Sequence, residues 1–237
     1  MRINKYISSS GFCSRRAAET YINEGRVTIN GEQATLGSQV ADGDLVTLDG
    51  KTIEPTNHEI YIMLNKPIGI TCTSEPDIKG NIIDFLKFPE RIFPIGRLDK
   101  DSTGLIVLTN NGDIVNEVLR EENGHHKTYR VRVDKRLTPE FIQSMSEGVK
   151  IYNPVRNEYV MTKPCTLRRI DDFQFEITIC QGYNRQIRRM CTALSYHVHN
   201  LQRTTFLNLD IKGLSIGKWR RLNEEEISKF KDLAKID

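Results

Sequence analysis

Long apolar runs are missing from this sequence of 237 residues. No stretch approaches the roughly 18 apolar residues that a membrane-spanning helix needs, and the N-terminal segment MRINKYISSSGFCSRR lacks the apolar core of a secretion signal. The five cysteines contain no CxxC pair, so neither a zinc site nor a disulfide framework is indicated. These absences predict a cytoplasmic protein without a membrane partner, and the length allows one or two domains.

The sequence also has little excess of either charge, because the net charge is only +3. Its distribution, however, is uneven. Residues 182–221 carry an excess of +7, and the first 31 residues carry an excess of +3. Such basic segments favour a polyanionic partner, although a solvated surface would have the same composition.

The first fifty residues have the pattern of a small α+β domain. Residues 2–10 and 14–24 are predicted helices, the second with Ser14 as N-cap. The segment RVTING joins an alternating strand to an Asn-Gly hairpin turn, and DGDLVTLDGK repeats the turn-and-strand pattern. Residues 1–50 resemble an S4-type RNA-binding domain. This resemblance implies that RNA contacts come from the early basic side chains, Arg2, Lys5, Arg15, Arg16 and Arg26.

A polar linker is predicted at residues 51–60, and a second domain at residues 61–237. Apolar or alternating strands are expected in YIMLNK, LIVLT, KTYRVRVD and DDFQFEITIC. Helices are expected over 113–121, over 138–148 with a Thr-Pro start, and on the surface over the last fifteen residues with Asn223 as cap. Because strands and helices do not alternate strictly, the predicted class is α+β with a mixed, largely antiparallel sheet.

The segment GRLDKDSTGL places Asp99 on a loop just before a predicted buried strand, a common setting for catalytic groups. A plain turn-capping aspartate would explain the same position. The run Asp99 to Thr103 also fits the DxDxT signature of haloacid-dehalogenase-type phosphatases. That family needs a hydrophobic strand immediately before the first aspartate, and PIGRL is a poor match.

Three further motifs, LNKPIG, KTYRV and GYNRQIRRM, follow the order seen in one enzyme family. With GRLDKDSTGL and the S4-like segment, they resemble the RsuA-type RNA pseudouridine synthases, and most closely the RluF branch acting on large-subunit ribosomal RNA. The resemblance covers essentially the whole chain. It implies that the uridine N–C bond is broken, the base rotates, and C5 is rejoined to C1′, without a metal or another cofactor.

The same resemblance implies roles for individual residues. Asp99 would be the nucleophile or base, Arg188 would pair with it, and Tyr129 would stack on the uracil. Ile187 would line the other side of the base, and Arg97 would fill the gap left by the flipped nucleotide. Phosphate contacts are expected from other basic side chains, Lys66, Arg185 and Arg189. Whether Asp99 attacks the sugar, attacks the ring or removes the 2′-proton stays open.

The expected substrate is therefore structured RNA. The branch resemblance implies 23S ribosomal RNA, with a tRNA anticodon loop as a further candidate. The alternative from a different class is a non-catalytic S4-type ribosome or RNA-binding factor. A monomer is expected.

Overall fold

The computed structural model describes residues 1–120 and 124–234 of the chain. These residues form two compact units. The first comprises Met1–Ile60, Lys87–Phe93 and Thr109–Gly112, and the second comprises Tyr61–Leu86, Pro94–Leu108 and the chain from Asp113 onward. In the ranges described, no helix combines the length and apolar character needed to span a membrane.

The first unit combines two helices with a four-stranded sheet. The helices are α1 (Ile3–Ser9) and α2 (Arg15–Asn23), and the strands are β1 (Val27–Ile29), β2 (Glu32–Gln33), β3 (Val46–Leu48) and β4 (Lys51–Thr52), in the order β2-β1-β3-β4. The Ser14 side chain accepts a hydrogen bond from the Ala17 amide at 3.1 Å, which confirms the predicted N-cap. Asn30 and Gly31 have φ values of 53° and 88°, as the hairpin turn requires.

Residues 51–60, predicted as a linker, begin with a strand. An Asp-Gly turn at residues 49–50 folds Lys51 and Thr52 back onto β3, where they form β4. Ile53 is then buried in the core of the first unit, together with Ile3, Val27 and other residues of the helices and strands. The polar composition of residues 51–60 concealed this short edge strand.

The second unit is built on a mixed sheet, which confirms the predicted α+β class with a largely antiparallel sheet. Its main strand order is β11-β12-β8-β13-β7-β5-β15. Four neighbouring pairs are antiparallel, and β13 pairs with β7 in parallel. The strands of the mixed sheet are β5 (Tyr61–Lys66), β6 (Phe93–Pro94), β7 (Thr103–Thr109), β8 (Lys127–Val133), β11 (Thr166–Arg169), β12 (Gln174–Ile179), β13 (Val198–Phe206), β14 (Leu209–Asp210) and β15 (Trp219–Arg221). A separate two-stranded sheet consists of β9 (Lys150–Asn153) and β10 (Glu158–Met161).

Alternation along β8 and β12 places their apolar side chains on one face, as predicted. Tyr129 and Val131 are buried opposite Ile177 and Phe175, whereas Arg130 is exposed. The helices of this unit are α3 (Ile82–Leu86), α4 (Gly112–Leu119), α5 (Pro139–Glu147), α6 (Gln186–Ala193) and α7 (Glu224–Ala234). Residue 121 of one predicted helix and residues 235–237 of another lie outside the described residues.

Both predicted helix caps in this unit are confirmed. The Phe141 amide donates to Thr138 Oγ1 at 3.2 Å, and the Glu226 amide donates to Asn223 Oδ1 at 2.8 Å. The last helix is not only a surface element, because Phe230 and Ala234 are buried against a core that includes Tyr61 and Phe206. Its acidic first turn faces outward while this apolar stripe covers the sheet.

A glycine permits the parallel contact between β7 and β13. Gly104 pairs with Arg203 and has a φ of 110°, in the range that favours glycine. A Cβ added at Gly104 would lie 2.3 Å from the carbonyl oxygen of Arg203 and 2.6 Å from its amide nitrogen. Backbone atoms cannot move aside as a flexible side chain would, so the two strands need glycine here.

We therefore expect Gly104→Ala to lower the free energy of unfolding by about 3 kcal/mol or more. Gly213→Ala is the matched control, because Gly213 has a φ of 80° but open space around its Cβ direction. That change should cost only about 1–2 kcal/mol. Urea unfolding of both variants measures the difference, and equal losses would contradict the close-packing argument.

Candidate active site

A cavity of about 430 Å³ in the second unit gathers several of the predicted site residues. It is lined by the loop before β7, by β8, by the end of β12, by the start of α6 and by β13. Five of the candidate residues from the sequence line it, namely Arg97, Asp99, Tyr129, Arg185 and Ile187. Residues separated by nearly 90 positions in the chain therefore meet in one place.

The loop that carries Asp99 is anchored by its backbone. The Ser102 amide donates to the Asp99 carbonyl at 3.0 Å, and the Gly69 amide donates to the Lys100 carbonyl at 2.8 Å. The Leu98 side chain is buried, and its amide donates to the Cys72 sulfur at 3.4 Å. The Asp99 side chain remains 30% exposed. The loop thus presents a carboxylate to the cavity from a fixed backbone.

The arginine that pairs with Asp99 is Arg185. Its Nη1 lies 3.7 Å from Asp99 Oδ2, while both terminal nitrogens donate to the carboxylate of Asp101 at 2.9 and 2.7 Å. Arg185 is the residue preceding α6 and has a φ of 52°, which turns the chain sharply into the helix. The hydrogen bonds from Arg185 lower the pKa of Asp101, and the same bonds raise the pKa of Arg185.

Arg188 occupies a different position from the expected one. Instead of pairing with Asp99, it donates to the Asp101 carbonyl at 2.9 Å and to the Val198 carbonyl at 3.2 Å. Its Nε lies 3.5 Å from Asp101 Oδ2, and only 13% of its side chain is exposed. Burial lowers the pKa of Arg188. The reason for the difference is that Arg188 lies one turn into α6, beneath the loop, whereas Arg185 lies at the helix start beside the cavity.

Tyr129 and Ile187 give the cavity an aromatic and an apolar lining residue. Tyr129 is buried on β8, opposite Arg203 on β13, and Ile187 is buried on α6. The Tyr129 ring and the Ile187 side chain both line the cavity. A planar base could be held by such a pair of surfaces.

Among the polar side chains of the cavity that were not singled out from the sequence, Arg203 and His125 each have an unpartnered nitrogen within the described residues. Arg203 is buried, donates from Nε to the Leu105 carbonyl at 2.7 Å, and has no partner for Nη2 within the described residues. His125 is buried, burial lowers its pKa, and its Nε2 is likewise unpartnered in the described part of the chain. An arginine inside the strand pattern LQRTTF was the available signal, but it was counted only as part of a basic run.

Lys66 does not fit the expected phosphate contact. The side chain is fully buried, and its ammonium donates to the carbonyls of Pro67 and Ile70 at 2.9 and 3.0 Å. Burial lowers the pKa of Lys66. Lys66 therefore supports the turn after β5, and a phosphate at the surface cannot reach it.

The other basic side chains predicted to contact RNA differ in exposure and in the partners that they bind. Arg2, Arg15, Arg16 and Arg97 are exposed, and Lys5 is half-buried. Arg26 also lies at the surface, but it binds Asp49 at 2.9 and 2.7 Å and Glu24 at 3.0 Å. Arg189 donates to the carbonyl and side-chain oxygens of Asn184 at 3.0 and 3.2 Å, so its charge remains uncompensated by those contacts.

The phosphatase hypothesis is not supported by this geometry. The residues immediately before Asp99 form a loop instead of a buried strand. The second aspartate of the signature, Asp101, is bound by Arg185 and Arg188. A cation-binding carboxylate would not be surrounded by two guanidinium groups.

A carboxylate beside a guanidinium, in a cavity also lined by an aromatic ring and an apolar side chain, is suited to chemistry on a planar base. The comparisons with known proteins agree. Residues 60–193 match the family model described as RNA pseudouridylate synthase, and residues 1–54 match the S4 domain. The chain belongs to the RNA pseudouridylate synthase family and is an RNA pseudouridine synthase, as the motifs predicted.

Its relatives extend along nearly the whole chain. It is 50% identical over 229 residues to the dual-specificity RNA pseudouridine synthase RluF of Escherichia coli strain K12, covering 96% of this chain and 77% of that protein. It is 34% identical to the ribosomal large subunit pseudouridine synthase B of Bacillus subtilis strain 168, covering 98% and 96%. A crystal structure of a pseudouridylate synthase superposes with a TM-score of 0.70 at 29% identity, covering 97% and 99% of the two chains.

The burial of Lys66 generates a prediction that separates support of the loop from phosphate binding. Lys66→Gln should lower the free energy of unfolding by about 1–3 kcal/mol, because the shorter, neutral amide cannot reach both carbonyls, of Pro67 and Ile70, that the ammonium binds. The slope of log affinity for RNA against log salt should not change. Arg16→Gln is the control, because an exposed arginine that neutralises one phosphate should reduce that slope by about 0.7–0.9. A reduced slope for Lys66→Gln would contradict the structural role.

Proposed function

We propose that this enzyme converts specific uridines of 23S ribosomal RNA to pseudouridine, with a tRNA anticodon loop as a second substrate. The support comes from the relatives. The 50% identical protein is named a dual-specificity enzyme, and the Bacillus subtilis protein is named for the large ribosomal subunit. The enzyme would act in the cytoplasm. It would act as a monomer.

Asp99 is the proposed nucleophile or base of the reaction. During isomerisation the N1–C1′ bond of uridine breaks, a C5–C1′ bond forms, the proton on C5 leaves, and N1 takes up a proton. Each step needs a group that can attack carbon or accept a proton next to the base. The single observation that carries the proposal is that Asp99, Arg185, Tyr129 and Ile187 line one cavity.

Arg185 is the proposed partner that favours the ionised form of Asp99. Its guanidinium is held by the carboxylate of Asp101, so it reaches Asp99 from a fixed position at 3.7 Å. In this arrangement Arg188 is a positioning residue. It binds two main-chain carbonyls and so joins the Asp99 loop to α6 and β13.

Tyr129 and Ile187 are proposed to hold the flipped uracil between them. A base stacked on an aromatic ring gains about 1–3 kcal/mol. Arg203, whose Nη2 has no partner within the described residues, lines the same cavity and is proposed as a donor to a carbonyl oxygen of the base. Arg97 is exposed beside the cavity, which suits the proposed role of filling the space vacated by the target nucleotide.

RNA docking is proposed for residues 1–50, with residues 51–60 as a connection to the catalytic residues 61–237. The exposed side chains of Arg2, Arg15 and Arg16 support this role, and Lys5 completes the group. Arg26 supports it less, because Asp49 and Glu24 already neutralise its guanidinium. A non-catalytic RNA-binding factor would share this surface but would have no use for the Asp99 cavity.

Asp99→Asn should abolish activity and leave RNA binding intact. We expect tritium release from C5-labelled uridine RNA to fall by about 10⁴-fold, because the amide can neither attack nor accept the proton. Affinity for the same transcript should stay within twofold. Asp77→Asn, at an exposed position on the same unit, is the matched control and should release tritium normally. Retained release in Asp99→Asn would exclude Asp99 as the catalytic group.

Substitution of the two arginines should separate catalysis from loop support. Arg185→Gln should lower the single-turnover rate by about 10- to 100-fold with little loss of stability, since it removes the cation beside Asp99. Arg188→Gln should lower the free energy of unfolding by about 1–3 kcal/mol, because the shorter amide cannot reach both carbonyls that the guanidinium binds.

Single-turnover kinetics and urea unfolding on both variants measure these effects. Arg185→Lys should recover part of the rate, because it restores the charge but not the two-point contact with Asp101. If Arg188→Gln instead abolished the rate at full stability, the assignment of the two arginines would have to be exchanged.

A further inference from the structure

A second cavity of about 600 Å³ lies on the other side of the α6 arginines. It is bordered by the hairpin of β9 and β10, by α6 and by the start of β13. Arg185 and Asp101 border both this cavity and the loop that carries Asp99. We call it the tyrosine groove after two of its lining residues, Tyr152 and Tyr159.

The hairpin presents aromatic rings that contribute little to the core. Tyr152 and Tyr159 face each other across the two strands, with ring centroids 5.4 Å apart in an edge-to-face arrangement. Tyr159 is 68% exposed. The hairpin itself is held by alternate buried residues, Ile151 and Asn153. Exposed tyrosines on a rigid, separately anchored hairpin offer stacking surfaces to a ligand.

The groove is also strongly basic. Lys150, Arg188, Arg189 and two adjacent histidines, His197 and His199, line it, and Asp101 is the acidic residue that borders it. The Asp101 carboxylate is already bound by Arg185. Lys150 lies 5.6 Å over the Tyr159 ring, and Arg189 contacts neutral oxygens of Asn184. Within the described residues, neither of these two cations has a carboxylate partner.

We propose that the tyrosine groove binds a single-stranded nucleotide next to the target uridine, with its base stacked on the tyrosine pair and its phosphate bound by Lys150 and Arg189. A cavity of this size fits one such group. RNA is favoured over a protein partner because uncompensated cations and aromatic faces occur together, as in other surfaces for unpaired nucleic acid. Arg185 lines both the groove and the Asp99 cavity, so the two sites are neighbours. The location relative to the target rests on the proposed role of Asp99.

The first experiment compares an RNA that has unpaired bases with one that has none. Tyr152→Ala and Tyr159→Ala should each weaken binding of a fluorescein-labelled octauridylate by about tenfold. A blunt RNA hairpin of the same charge should lose less than twofold, because its bases are already stacked. Tyr159→Phe should bind like the parent enzyme. Phe173→Ala and Arg132→Gln, exposed elsewhere on the same unit, are controls that should bind both RNAs normally.

A second measurement reads the groove directly and avoids RNA bound elsewhere on the protein. Tyr159→Trp places a fluorophore on the hairpin, and octauridylate should quench its emission beyond any quenching of the parent enzyme, whose single tryptophan is Trp219. Lys150→Gln in that background should weaken the quenching and reduce its salt slope by about 0.7. Absence of quenching, or equal losses for octauridylate and the blunt hairpin, would overturn the proposal.

The outcome for the groove is separable from the outcome for Asp99. If Asp99→Asn abolishes activity while the tyrosine variants bind normally, the groove proposal fails and the catalytic proposal stands. If Asp99→Asn retains activity, the quenching experiment still decides whether the groove binds unpaired RNA. Only the assigned position of the groove next to the target uridine is then overturned.

Discussion

The attachment of Asp101 to α6 is the contact on which the rest of the catalytic unit depends. Arg185 donates hydrogen bonds to the carboxylate of Asp101, and Arg188 donates one to its carbonyl, across 84 and 87 positions of the chain. The loop that carries Asp99 is therefore tied to the helix whose Ile187 forms one wall of the cavity. Without this contact, the carboxylate and the slot for the base would be positioned by separate elements.

The same contact explains why Asp99 and Asp101, two positions apart, are bound so differently by Arg185. Asp101 takes the two strong hydrogen bonds of Arg185, whereas Asp99 has the longer 3.7 Å approach. At that distance the attraction is about 4 kcal/mol at an effective dielectric constant near 20. Because the side chains of Asp99 and Arg185 are 30% and 39% exposed, screening reduces it to about 1 kcal/mol or less. Asp99 is thus paired more weakly than Asp101, as the proposed catalytic role of a carboxylate that must meet a substrate requires.

Local sequence signals predicted most of the fold but less of the site. Alternation in KTYRVRVD and the caps at Ser14 and Thr138 act within a few residues, so they were readable. The burial of Lys66 depends on how β5 lies within the sheet, and nothing in LNKPIG encodes that. Arg185, and not Arg188 as predicted, approaches Asp99, because Arg185 has a left-handed backbone at the start of α6. Only the folded backbone reveals that conformation.

Several basic side chains that the sequence predicted to contact RNA are already bound within the protein. A phosphate contact releases counterions only when the cation was not already neutralised. Arg26 is paired with two carboxylates, Lys66 is sealed among carbonyls, and Arg188 is committed to the backbone. Arg97, Lys150 and Arg189 line the two cavities, and within the described residues none of them has a carboxylate partner. Because α6 borders both cavities and also binds the Asp99 loop, one helix places basic side chains beside the proposed base site and beside the tyrosine groove.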